Sequence, residues 1–131
     1  MSISTQALAL KKLGLIDYMK AWKIQSEFHR EVVEGSRPST LLLLEHPPVY
    51  TAGRRTLESE KPTDGSTVID VDRGGKITFH GPGQIVGYPI ITLKNGSDVV
   101  GFVRELENAL IAICSEFGVK TERYCERSGV W

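Results

Sequence analysis

The stretch Arg73-Gly74-Gly75-Lys76-Ile77-Thr78-Phe79-His80-Gly81-Pro82-Gly83-Gln84 sets two glycine-rich turns around a short alternating run. Adjacent glycines at 74 and 75 remove two side chains, so backbone N–H groups can approach a ligand closely and φ can turn positive. Arg73 and Lys76 flank them with positive charge, which suits an anionic or carbonyl-bearing group. Pro82-Gly83 fits the two central positions of a type II turn, which would fix His80 and Gln84 on either side of a rigid corner. Between the turns, period-2 alternation puts Lys76, Thr78 and His80 on one face of a strand. A lone glycine pair is most often a bare hairpin turn. Two turns bracketing a strand that carries a cation, a hydroxyl and an imidazole favour a binding site instead. The segment has neither the Gly-Lys-Ser/Thr of a Walker loop nor Gly-x-Gly-x-x-Gly.

Working outward, strand signals surround this segment. Thr40 to Glu45 is a short apolar run bounded by Pro38 and Pro47, consistent with a strand buried on both faces. Val68, Ile69 and Val71 predict a second strand, Ile77 to Phe79 a third, Ile85 to Leu93 a fourth and Val119 to Arg123 a fifth. Leu57 to Thr67 reads as an exposed loop. Helical periodicity marks the two ends. From Asp17 to Glu34, Ala21, Ile24, Phe28 and Val32 recur at helical spacing, widened by Tyr18 and Trp22; Asp17 caps the start and Gly35 ends the pattern. From Asp98 to Phe117 the stripe is Val99, Phe102, Val103, Leu106, Ala109, Leu110, Ile113 and Phe117, with Ser97 or Asp98 as cap and Gly118 as terminator. Both helices are expected to lie on a core. The expected fold is α/β (α+β): a mixed β-sheet with amphipathic helices, in one domain over residues 1–131. Ser128-Gly129-Val130-Trp131 reads as the start of a further strand, so that domain is expected to be incomplete at its C-terminus.

Composition narrows the function classes. The chain has 131 residues, and 16 Lys and Arg balance 16 Asp and Glu, which removes the strongly basic character expected of a nucleic-acid or anionic-membrane binder. At 40% hydrophobic residues it is composed like a folded protein rather than a disordered one. Apolar runs such as Leu41 to Leu44 are far short of the ~20 residues of a membrane span. Two cysteines, Cys114 and Cys125, make no disulfide framework and no zinc motif. Met1 to Leu10 lacks the features of a secretory signal or transit peptide, and a cytoplasmic protein is expected.

The central motif, continued as Ile85-Val86-Gly87-Tyr88-Pro89-Ile90 and preceded by Leu41-Leu42-Leu43-Leu44-Glu45-His46-Pro47-Pro48-Val49-Tyr50-Thr51-Ala52-Gly53, resembles the octanoyltransferases of lipoate biosynthesis. The resemblance runs from about Leu8 to Trp131. It implies the α/β sheet shared with biotin and lipoate protein ligases, and an acyltransferase that moves octanoyl groups from acyl carrier protein through a cysteine thioester. The implied acceptors are lysines of lipoyl domains, in 2-oxoacid dehydrogenases and the glycine cleavage H protein. It implies no ATP, metal or other cofactor, since the thioester is already activated. It also implies that Arg73, Gly74, Gly75, Lys76, Ile77, Thr78, Phe79 and His80 bind substrate and line the acyl pocket. The nucleophilic cysteine and its partner lysine lie in family segments C-terminal to Ser-Gly-Val-Trp, so no catalytic position transfers to residues 1–131. The ATP-dependent ligases share the motif but typically read His-Asp-x-Gly-Asn where this chain reads His80-Gly81-Pro82-Gly83-Gln84, and the missing aspartate argues against them. A non-catalytic fragment that binds only an acyl chain or a partner is the other alternative.

The remaining candidates are weaker. Cys114 lies on the apolar side of the second predicted helix, where a small buried thiol is ordinary. Cys125 sits among Arg123, Glu126 and Arg127, where cations lower a thiol pKa, but no motif supports a catalytic role. His29 is expected at the surface. His46 follows the buried strand, where it caps the strand end or faces the same cleft as His80; two histidines without a third ligand do not make a metal site. Arg54 and Arg55 form a basic rim suited to steering an acidic carrier protein.

Overall fold

The structure, a computed structural model, describes residues 7–93, 98–124 and 126–131. Ser97 and Cys125 lie outside them. The chain divides into two compact units, one of Gln6–Ile91 and one that includes Thr92–Trp131.

The first unit holds β1 (Ala9–Leu15), α1 (Tyr18–Glu34), β2 (Thr40–Glu45), β3 (Val49–Ala52), β4 (Val68–Asp70), β5 (Ile77–His80) and β6 (Val86–Ile90). The expected mixed sheet is present as two mixed three-stranded sheets. In one, β2 is central, parallel to β1 and antiparallel to β6; in the other, β3 is central, parallel to β4 and antiparallel to β5. α1 starts where Asp17 accepts the N–H groups of Met19 and Lys20 and stops at Gly35, in the left-handed region, whose N–H donates to Glu31 and Val32 carbonyls. Its Ala21 and Phe28 bury against Leu42 and Leu44 of β2, and Ile24, Val86, Tyr88 and Ile90 close around them. Arg37 stacks its guanidinium over the Phe28 ring, 3.6 Å from the centroid, while pairing with Glu31.

β2 behaves as expected, with Thr40, Leu42 and Leu44 buried and the alternate side chains half-buried. Periodicity missed two strands. β1 exposes Leu10 and Leu15 and is interrupted by a register shift between Lys12 and Gly14, so its sequence shows no clean alternation. β3 is four residues long directly after Pro47-Pro48. The expected loop over Leu57 to Thr67 contains a single 3-10 turn, Glu58–Glu60.

The second unit is built on α2 (Val99–Glu116), capped by Asp98, whose carboxylate accepts the Gly101 N–H at 2.8 Å. Two expectations change here. Val119 to Arg123 forms no strand; instead Glu122 and Trp131 exchange a pair of 2.9 Å backbone hydrogen bonds, and Tyr124 bridges Arg127. The apolar stripe of α2 is not covered either: Leu110 is 45%, Ile113 50% and Phe117 81% exposed. The helix instead buries Glu107, which accepts the Gly129 N–H and pairs with Arg104 and Arg123. Charge pairing is what makes that burial tolerable. No helix among the described residues is long and apolar enough to cross a membrane.

Candidate functional site

The site is organised on β5, which is entered and left through the two glycine turns. At the entry, Arg54 and Arg55 donate their N–H groups to the Arg73 and Gly75 carbonyls, tying the turn to the end of β3. The Arg73 side chain folds inward rather than out to solvent. One guanidinium nitrogen donates to the Gly74 and Lys76 carbonyls at 3.0 and 2.8 Å, the other to the Thr51 carbonyl and hydroxyl at 2.8 and 2.9 Å. The fork geometry of Arg is what lets one side chain serve four acceptors. Gly53 makes room for this: a Cβ there would stand 2.5 Å from the Gly75 oxygen and 2.6 Å from the guanidinium. Gly75 takes a φ of 88°. Among the described residues neither the Gly74 nor the Gly75 N–H donates to a protein acceptor.

The positive charge that flanks the glycines is thus engaged within the fold. Arg73 is occupied by the turn itself, and the Lys76 ammonium pairs with Glu60. The Glu60 carboxyl is held below its usual range, first by the hydrogen bond from the Leu57 N–H and then by Lys76. Arg54 and Arg55 are exposed beside it. Along β5, Ile77 is half-buried, Thr78 is exposed, and Phe79 is half-exposed against Tyr50, ring centroids 5.1 Å apart.

At the exit, the Gly81 carbonyl accepts the Gln84 N–H at 3.1 Å, and Gly83 has a φ of 90°. That is the type II turn expected from Pro82-Gly83. The Gly83 N–H donates to the Glu45 carboxylate, fixing the turn to the end of β2. His80 Nδ1 lies 2.7 Å from Gln84 Oε1, so the two residues flanking the corner meet across it.

Beside His80, ring centroids 5.7 Å apart, lies His46, with none of its surface exposed. Its Nδ1 meets the Ile16 carbonyl at 2.9 Å and its Nε2 meets the Tyr88 hydroxyl at 2.9 Å. A carbonyl only accepts, so Nδ1 carries the hydrogen and Nε2 of the neutral ring accepts from Tyr88. Burial pushes the His46 pKa down and keeps it in that neutral form. Burial likewise pushes the Tyr88 hydroxyl up to about 12, so it remains a donor. Tyr18 packs on the other side of His46 at 5.1 Å. Sequence reasoning allowed His46 to face the same cleft as His80, with capping of the strand end as the plainer role, and missed its contacts with Tyr88 and Tyr18. The signal was the His46-Pro47-Pro48 that halts β2: a histidine at a buried strand end has polar edges to satisfy.

The turns do different work. The strand between them, Ile77–His80, is four residues long. One end offers N–H donors, the other an imidazole. A cavity of about 330 Å³ lies in the other unit, lined by Val99, Val103, Arg104 and Glu107 among others, and includes none of residues 73–80. His29 is exposed, as expected, and Cys114 is half-buried. Among the described residues no group of three or more His, Cys, Asp or Glu is placed to hold a metal.

The family model described as the lipoyl protein ligase A/B catalytic domain matches residues 17–131. The chain belongs to that family. It is 60% identical over 127 residues to the octanoyltransferase of Mycolicibacterium gilvum, covering 97% of this chain and 53% of that protein. It is 61% identical over 116 residues to that of Streptomyces griseus, covering 88% and 42%, and 56% identical to that of Acidothermus cellulolyticus, covering 95% and 56%. The chain thus spans about half the length of the curated relatives it matches. Among solved structures, Ta0514 of T. acidophilum, a candidate lipoate protein ligase, aligns with a TM-score of 0.65 at 14% identity, over 92% of this chain and 52% of that one. That likeness shows the fold of this catalytic-domain family.

Proposed function

We propose that this chain supplies the acyl-thioester-binding part of a cytoplasmic octanoyltransferase, which moves an octanoyl group from acyl carrier protein to lysines of lipoyl domains, those of 2-oxoacid dehydrogenases and the glycine cleavage H protein. The reading rests on the relatives' shared name and on one observation: the Gly74 and Gly75 N–H groups, held out by the Arg73 brace, are left to donate to a ligand. Two such donors suit a thioester carbonyl. Half-exposed Phe79, on β5 against Tyr50, offers apolar surface to an acyl chain. Arg73 to His80 are the substrate-binding residues, with Arg73 acting through the turn it braces. In the full reaction a cysteine thiolate takes the acyl group from the carrier thiol, and the acceptor amine then displaces that cysteine. Neither that cysteine nor its partner lysine is assigned among the described residues. Exposed Arg54 and Arg55, anchored by their backbone to the glycine turn, would steer an acidic carrier to it.

The test is amide NMR of the 131-residue protein titrated with octanoyl-pantetheine. Shifts of the Gly74, Gly75 and Phe79 amides are expected, with octanoyl-carrier protein giving the same shifts at lower concentration and losing that advantage when Arg54 and Arg55 are changed to Glu. Titration that leaves residues 73–80 unmoved overturns the reading.

A further inference from the structure

We infer that Gln84 is a positioning residue that fixes the tautomer of His80, leaving His80 Nε2 as a hydrogen-bond acceptor for an N–H group of the substrate. The inference rests on the acyl-transfer reading for the identity of the substrate, but not for the tautomer.

The logic runs along a chain of atoms. Gln84 Nε2 lies 3.3 Å from the Phe79 carbonyl, which can only accept, so the amide nitrogen must face it. The amide oxygen then faces His80 Nδ1 at 2.7 Å. That oxygen also only accepts, so Nδ1 must carry the hydrogen of the neutral ring. The lone pair is left on Nε2, for which no partner is found among the described residues. Free neutral imidazole side chains favour the opposite tautomer, so the choice made here is imposed.

Everything around Gln84 is arranged to hold that amide still. Its own N–H is bonded to Gly81, the type II turn is set by Pro82-Gly83, and the Gly83 N–H is held by Glu45. Neighbouring His46 makes the same commitment by a different route, with Nδ1–H donated to Ile16 and Nε2 filled by Tyr88. Of the two adjacent imidazoles, His46 has both nitrogens bonded within the protein, and half-buried His80 has one without a partner among the described residues. With donors at Gly74 and Gly75 before β5 and an acceptor at its last residue, His80, the segment reads the polarity of a ligand: a carbonyl at one end and an N–H at the other. Both the amides of a pantetheine arm and the amine of an acceptor lysine carry such an N–H.

The experiment is ¹⁵N NMR of the histidine rings in the 131-residue protein. His80 is expected as the Nδ1–H tautomer, switching to Nε2–H in Gln84→Met and retained in Gln84→Glu, whose carboxylate still accepts from Nδ1. Adding octanoyl-pantetheine or, separately, a lysine-containing peptide is expected to shift the His80 Nε2 resonance, and the ligand that does so identifies the source of the N–H. An Nε2–H ring in the unsubstituted protein, an unchanged tautomer in Gln84→Met, or an Nε2 resonance unmoved by either ligand overturns the inference. The Gly74 and Gly75 amides report separately on thioester binding. Failure of the acyl-transfer reading is therefore visible there, whatever the ring does.

Discussion

The turns at the two ends of β5 are both glycine-rich, yet they are built on opposite plans. The Arg73–Lys76 turn is held from inside by a charged side chain whose four hydrogen bonds all go to its own fold, and what it offers outward is backbone. The Gly81–Gln84 turn is held by its own backbone, by proline and by Glu45, and what it offers outward is a side chain, His80. The difference shows that charge in a glycine-rich motif is not by itself a ligand contact. Arg73 shapes a surface that the amides present, whereas Gln84 shapes the chemistry of a neighbouring ring.

The comparison breaks most sharply at Gly53. A methyl group there has backbone, not a flexible side chain, 2.5 Å away, so Gly53→Ala must displace the Gly75 carbonyl and with it the Arg73 brace. A loss of about 3 kcal/mol is expected, the upper part of the usual overpacking range, read as a lower urea midpoint at unchanged slope. The His80 tautomer is expected to survive, because the exit turn does not depend on Gly53. A variant as stable as the parent would show that the entry turn is not braced as described.

Arg73→Lys separates charge from geometry. If the role were electrostatic, lysine would serve; because one planar fork meets four acceptors, lysine is expected to leave most of them unmet and to cost about 2 kcal/mol, close to the effect of Arg73→Met. Equilibrium unfolding of both variants checks this, and near-parental stability of the lysine variant would restore a charge-based role.

How much of this was legible in the sequence depends on how far apart the partners lie. Helix limits were readable because their determinants are local: Asp17 and Asp98 cap the N–H groups that follow them, and Gly35 closes the turn before it. The exit corner was readable for the same reason, since Pro82 and Gly83 set it between them. The Arg73 brace was not readable because Thr51, its partner, is 22 residues away, and the His46–Tyr88 bond spans 42. Neither separation leaves a periodic trace. α2 teaches a related lesson. Periodicity identified its apolar face but could not say what covers it, and the residue it buries, Glu107, is the one an amphipathic pattern would assign to solvent.

The smallest expected effects distinguish the two histidines. His46 is buried and neutral, with its pKa pushed below the ordinary value near 6.5 chiefly by burial. Between the lowered folded value and 6.5 the unfolded chain binds the proton and the folded one does not, so its contribution to stability is complete above about pH 6.5 and is lost as pH falls towards the folded value. One proton limits the slope to about 1.4 kcal/mol per pH unit. Denaturant midpoints measured from pH 7.5 to 5 should therefore fall more steeply for the parent than for His46→Gln. At pH 7.5, where that ring is neutral in both states, Tyr88→Phe should cost about 1 kcal/mol, one hydrogen bond's worth. His80→Gln at pH 7.5 should cost less stability than His46→Gln, because the His80 ring is only half-buried and its Nε2 has no partner among the described residues. A larger loss at His80 than at His46 would reverse the division between a histidine that serves the fold and one that serves the ligand.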